Sequence, residues 1–208
     1  MSNKATIRKF EYTFPNYVTS IYNLFRQNGY PLFLVGGSVR DMLMNRQPDD
    51  YDFCGPATAD EIIRILESNS IEYDDSYTFL GYVIAYCDGE KVDILTYHGN
   101  SMYDDAASRD FTMNALYYDI GNKEILDFFT GYEDIHNHII RAVSPDKLQN
   151  KEYLRAIRFA LEFEFHIDPI TYEHMQNNMD CFDTIRTSSV KREFTKILKY
   201  GERLFKCK

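Results

Sequence analysis

Leu32-Phe33-Leu34-Val35-Gly36-Gly37-Ser38-Val39-Arg40-Asp41 and, a few residues on, Pro48-Asp49-Asp50-Tyr51-Asp52-Phe53 set the architecture expected of this chain. Leu32 to Val35 is a short apolar run with the length of a buried strand, closed by two glycines. Gly36 and Gly37 allow backbone geometry that a side chain would block. Ser38 to Met44 has helix-forming character, so the order is strand, tight turn, helix start, an arrangement whose free N–H groups face an anion. Arg40 adds a cation there. A second strand is expected to carry Asp50 and Asp52, and period-two alternation would project both carboxylates from one face.

Paired carboxylates suit a divalent cation, and a glycine turn with an arginine suits a triphosphate. Mg²⁺ takes carboxylate oxygens together with substrate phosphates, and two such ions about 3.5–4 Å apart can clamp the attacking and leaving oxygens of phosphoryl transfer. Singly these features are weak, because a Gly-Gly pair is often a plain turn and an Asp-x-Asp pair a solvated edge or a helix cap. In combination, LVGGSVRD followed by PDDYDF resembles the signature of the class II tRNA nucleotidyltransferases and bacterial poly(A) polymerases. The resemblance implies an α+β fold: a polymerase-β-like mixed sheet with flanking helices as a catalytic head, residues 1–128, then a small all-helical neck, residues 129–208.

The chain has 208 residues, 44% of them hydrophobic, enough for one ordinary domain and a smaller helical one. Cys54, Cys87, Cys181 and Cys207 lie far apart without Cys-x-x-Cys spacing, which indicates reduced thiols in a cytoplasm rather than a zinc ribbon or a disulfide framework. No signal peptide and no apolar run long enough to span a bilayer is expected. The net charge of −9 argues against a nucleic-acid partner until its distribution is considered. Eight basic residues stand against two acids between Arg186 and Lys208, a net of +6 that leaves −15 elsewhere. An acidic metal-binding domain joined to a basic RNA-holding end would look so, and a solvated helical face would too.

Outward from the central stretch, Pro15 to Asn28 reads as a helix with Val18, Ile21, Tyr22 and Phe25 inward and Gly29 as its stop. Ala57 to Glu67 reads as another, with Ile62, Ile63, Ile65 and Leu66 as the buried stripe. Thr78 to Cys87 and Lys91 to Thr96 read as a hairpin joined at Asp88-Gly89-Glu90. Asp93 in its second strand is either an edge carboxylate facing water or a group with a counter-ion or metal. Its surroundings, VDILTY, are similar to the strand that supplies the third catalytic carboxylate of the family, which would make Asp50, Asp52 and Asp93 the triad. His98 stands where the family usually has Arg.

Ser108-Arg109-Asp110-Phe111-Thr112-Met113-Asn114-Ala115-Leu116 resembles the family's RRDFTxNAL motif for ribose and nucleotide orientation, with Ser108 replacing the first Arg. Arg109 offers a planar donor fork, Asp110 and Asn114 can bond hydroxyls, and Phe111 and Leu116 suit the core. Asp127 to Ile135 resembles the head-to-neck join, where Gly131 would permit a hinge. His136 and His138 lack further ligands nearby and read as loop histidines.

Arg155-Ala-Ile-Arg158-Phe159 looks like the family's RAVRF helix. The Glu-Asp-x-x-Arg motif that reads the incoming base is altered: one register puts Leu148, Gln149 and Glu152 on it, another Lys151, Glu152 and Arg155. Glu152 and Arg155 are the favoured base readers, with Arg158 in the same nucleotide-binding set. Ile185 to Tyr200 resembles the closing neck helix, capped by Ser188 or Ser189, with Val190, Phe194, Ile197 and Leu198 buried and Lys191, Arg192, Lys196 and Lys199 free for RNA phosphates. The sequence holds no counterpart of the family's body and tail, which leaves open a homo-oligomer or partner replacing them, a natural minimal enzyme, or a fragment.

The resemblance thus implies a Mg²⁺-dependent nucleotidyltransferase with a two-metal site on Asp50 and Asp52, assisted by Asp93. Gly36, Gly37, Ser38 and Arg40 would hold the triphosphate of ATP or CTP, with addition of C and A to a tRNA 3′ end as the first reaction. An adenylate-only tailing enzyme and a non-catalytic RNA-binding module are the alternatives.

Overall fold

The computed structural model describes residues 4–178, 187–200 and 202. In chain order the elements are β1 (Thr6–Lys9), α1 (Asn16–Gln27), β2 (Phe33–Val35), α2 (Gly37–Leu43), β3 (Phe53–Gly55), α3 (Ala59–Ser68), β4 (Glu72–Asp74), β5 (Tyr82–Cys87), β6 (Glu90–Thr96), α4 (Met102–Ser108), β7 (Leu116–Asp119), β8 (Glu124–Asp127), α5 (Gly131–His136), β9 (Ile139–Ile140), α6 (Asn150–Phe163), β10 (His166–Ile167), α7 (Pro169–Asn177) and α8 (Thr187–Leu198). They form two compact units: residues 1–109 with 114–131, and residues 110–113 with 132–208.

The first unit holds a mixed sheet of eight strands in the order β1-β8-β7-β2-β3-β6-β5-β4, in which only β3 and β6 run parallel. Register explains how it is filled. Tyr118, Leu34, Phe53, Ile94 and Val83 stand opposite one another across five strands, and all five are fully buried. Because side chains alternate, the row one residue along faces the other way, and it is there that polar chemistry is found.

Helix α1 buries Val18, Ile21, Tyr22 and Phe25, the four expected from their spacing. Helix α3 is shorter at its start than expected, because Thr58 caps it: its hydroxyl accepts from the Glu61 N–H while the Glu61 carboxylate accepts from the Thr58 N–H. Ile62, Ile65 and Leu66 are buried, whereas Ile63 turns partly outward. Asp88 and Gly89, both at positive φ, make the two-residue turn of the β5–β6 hairpin. Thr78–Leu80 is not strand but a 3₁₀ turn ended by Gly81 at φ +81°, with Phe79 and Leu80 exposed.

In the second unit α6 is the long element, burying Tyr153, Leu154, Phe159, Leu161 and Phe163. Helix α8 packs against it by a face that shares only Ile197 fully with the one expected. Glu193 and Ile197 are buried while Phe194 and Leu198 are exposed, because Arg158 of α6 draws the Glu193 carboxylate inward at 2.8 Å. Helix α8 already includes Ser188 and Ser189, so neither is its cap; Ile185, Cys181 and Cys207 lie outside the described residues. Among the described residues no helix is long and apolar enough to cross a membrane.

Candidate active site

Asp50 and Asp52 lie just before β3, which begins at Phe53, rather than within a strand. Pairing nevertheless begins one residue early, since the Val35 N–H donates to the Asp52 carbonyl at 3.0 Å. Extending the β3–β6 register by that residue sets Asp52 beside Asp93, in the row Tyr117, Val35, Asp52, Asp93, Ile84, on the face opposite the buried row. Asp93 is therefore on the same side of the sheet as Asp52. The Asp52 carboxyl is pushed up to about 7 by burial first, then by the charges of Asp50 and Asp93. Arg109 and Lys91 act in the other direction.

Arg109 sits under the diglycine turn, and a Cβ added at Gly36 would come within 3.3 Å of its Nη1. Gly36 also has φ +74°, so both space and backbone demand glycine there. Asp105 fixes the guanidinium through Nε at 3.2 Å and Nη2 at 2.9 Å. The same carboxylate accepts from the Tyr117 hydroxyl and from the His98 N–H. Burial opposes the charge of Arg109, and the neighbouring Tyr117 and Asp105 more than offset it, so Arg109 is a permanent cation beside Asp52. Asp105 is the residue that sequence reading missed; its signal was the i,i+4 spacing to Arg109.

Several expected phosphate and ribose contacts have protein partners. Arg40 lies 2.9 Å from Asp41 through Nε and donates through Nη1 to Asn114 Oδ1 at 2.8 Å. It packs along Gly37, where a Cβ would meet its guanidinium only at an ordinary contact distance of 3.5 Å. The Ser38 hydroxyl, buried, donates to the Val35 carbonyl at 3.2 Å. Gly36, Gly37, Ser38, Arg40, Arg109 and Asn114 thus form one tight corner at the end of β2, on the first unit with the three aspartates.

The remaining candidates belong to the second unit. Asp110 accepts from the Phe111 N–H at 2.8 Å and pairs with Arg155 at 3.1 Å. Phe111 is in the core, against Phe159. Glu152 accepts from the Gln149 N–H at 3.1 Å, capping its own helix. Arg158 binds Glu193 and Glu162 and stacks on Phe159 with 4.1 Å to the ring centroid, so its fork is spent inside this unit. Lys191, Arg192 and Lys196 are exposed along α8, and Lys199 is exposed in the turn just after it. His136 contacts the Tyr132 carbonyl and His138 stacks on Phe165. Among the described residues no three His, Cys, Asp or Glu side chains are placed close enough together to hold a metal ion by themselves.

A family model, that of the poly(A) polymerase head domain, matches residues 32–103 and 85–141. A CCA-adding enzyme of Lactobacillus helveticus is 32% identical over 189 residues, covering 81% of this chain and 46% of that protein. Poly(A) polymerase I of Salmonella typhimurium is 28% identical over 210 residues, covering 86% and 44% respectively. The solved structure of the Bacillus stearothermophilus CCA-adding enzyme in complex with CTP superposes with a TM-score of 0.82 at 28% identity, over 88% of this chain and 48% of that one. The chain spans about half the length of the curated relatives it matches.

Proposed function

Because the chain belongs to the family of CCA-adding enzymes and bacterial poly(A) polymerases, we propose that it is a template-independent RNA nucleotidyltransferase extending a 3′ end. The observation that carries the reading is that Asp52 and Asp93 stand side by side on one face of the sheet, by the diglycine corner, with Asp50 near enough for its charge to act on Asp52. The donors fit Mg²⁺: they are hard carboxylate oxygens, their mutual repulsion is what a dication relieves, and Mg²⁺ needs only one or two of them alongside phosphates and water. Asp50 and Asp52 would hold the cation, with Asp93 beside them. When bound, it supplies charge for the transferring phosphoryl group and lowers the pKa of the attacking hydroxyl.

The chain's own residues do the positioning. Gly36 and Gly37 keep side chains out of the corner where a triphosphate would lie. Arg109, fixed by Asp105, supplies a preorganised positive charge near the developing negative charge on the phosphates. Arg40 holds Asn114 in place through its Oδ1, and Asn114 is assigned to the ribose side of the nucleotide site. In-line attack of an RNA 3′-hydroxyl on the α-phosphate, with departure of pyrophosphate, is the proposed reaction, with ATP and CTP as substrates and tRNA as the RNA. Lys191, Arg192, Lys196 and Lys199 are assigned to RNA phosphates, and the setting to the cytoplasm.

Base choice is assigned to Glu152 and Arg155, and here an observation favours a second reading. Glu152 is engaged as a helix cap and Arg155 is paired with Asp110, so an enzyme that adds adenylate alone is the rival. Incubating the chain with a tRNA lacking its end, and with ATP or CTP in turn, separates the two. Addition of C and then A supports the first, adenylate tails of irregular length the second, and no incorporation from either contradicts both.

A further inference from the structure

The positive charges acting on the carboxylate cluster are of two kinds. Arg109 is buried and held by Asp105, so it cannot move away. Lys91 is different. It stands two residues before Asp93 on β6, which puts both side chains on the same face, and its ammonium lies 2.9 Å from one oxygen of the Asp93 carboxylate and 3.2 Å from the other. The Lys91 side chain is 55% exposed while that of Asp93 is 25% exposed, so a flexible stem reaches from solvent onto a half-covered acid. Its influence extends past its partner, because Asp52 and Lys91 each stabilise the charge of the other. The Asp93 oxygen nearest the ammonium is itself sealed from water and accepts no hydrogen bond of regular geometry. That oxygen is held by charge alone, and a competing cation can take it.

We propose that Lys91 is a tethered, displaceable counter-ion that occupies the Asp93 carboxylate until a divalent cation arrives, and so sets the cation concentration at which the site fills. The idea rests on the reading of Asp50, Asp52 and Asp93 as the cation site. Lys91 is a positioning residue: it acts on the acids and touches neither nucleotide nor RNA in this role. With the ammonium in place, every dication that binds must first break an ion pair. Without it, three acids face one another with Arg109 as their fixed cation, and a dication binds more readily.

The test is binding of Mn²⁺, used as the probe ion, to the full chain by isothermal titration calorimetry without nucleotide, for the wild type, Lys91→Met, Lys91→Arg, Asp93→Asn and Asp52→Asn. The expected result is a Kd for Mn²⁺ about two- to fivefold lower in Lys91→Met, the range for a part-exposed ion pair, with Lys91→Arg near the wild type. The advantage should shrink as monovalent salt rises, since salt already screens the pair. It should also vanish in the Asp93→Asn background. An unchanged or higher Kd in Lys91→Met overturns the proposal while leaving the site intact, provided Asp52→Asn abolishes binding. Equal binding by the wild type and Asp52→Asn would instead remove the cation site and the Lys91 proposal with it. Circular dichroism of Lys91→Met and of a second variant, Lys91→Gln, guards against a folding defect, and both must show the same shift.

Discussion

At Asp52, burial and the charges of Asp50 and Asp93 raise the carboxyl to about 7 from an ordinary value of 3.8. Between those two values the folded chain keeps a proton that the unfolded chain has lost, so the metal-free protein loses stability as pH rises from about 4 to about 7 and regains none above. Asp52→Asn should therefore be more stable than the wild type at pH 8 in a chelator, by something on the order of 1–3 kcal/mol, and nearly equal to it at pH 4. Thermal unfolding at the two pH values reads this, and a Mn²⁺ addition at pH 8 should raise the wild-type midpoint alone. Equal midpoints at pH 8 would mean that neither burial nor the neighbouring acids disfavour the Asp52 carboxylate. Gly36 makes a second demand at this scale. Gly36→Ala meets both a positive φ and the Arg109 guanidinium, and a stability loss of about 1–3 kcal/mol is expected in urea titration.

Elements show how far the chain could be read before folding. The α1 stripe and the Asp88-Gly89 hairpin were legible because helical period and a two-residue turn are local properties, decided by residues within a few positions of one another. The inward face of α8 was legible only at Ile197, because periodicity sees Val190, Phe194, Ile197 and Leu198 as an apolar stripe and cannot see Arg158, 35 residues before Glu193. The partnerships of Arg40 with Asn114 and of Arg155 with Asp110 were hidden for the same reason. The motif residues were recognisable, but which of them face a ligand and which brace one another depends on tertiary contacts. Helix α6 offers the sharper test. Arg158→Met leaves the Glu193 carboxylate, 3% exposed, with only the longer 3.6 Å contact of the exposed Arg192, and a loss of about 3 kcal/mol is expected. The double variant Arg158→Met/Glu193→Leu should recover most of it in the same denaturant titration, because two apolar groups replace the pair. No recovery would show that the loss comes from the packing of the Arg158 side chain, including its stacking on Phe159 of the same helix, rather than from its pair with Glu193.

Taken as a whole the molecule is acidic, with a net positive stretch between Arg186 and Lys208. If Lys191, Lys196 and Lys199 meet RNA phosphates, replacing the three by Glu should weaken binding of any RNA to a similar degree. It should also flatten the dependence of log Kd on log salt by about 0.7 per lost contact with single-stranded RNA. Filter binding at several salt concentrations gives both quantities. An unchanged slope assigns those lysines to a solvated face.

The proposal of RNA extension stands on the acids beside the diglycine corner, and transfer of radiolabelled nucleotide from ATP or CTP to an RNA 3′ end, compared between the wild type and Asp52→Asn with Mg²⁺ present, tests it most directly. Incorporation by the wild type that falls by about a hundredfold or more in a folded Asp52→Asn is the predicted result. Equal incorporation by the two would place the chemistry elsewhere on the molecule, and none by the wild type with any RNA offered would contradict an active enzyme.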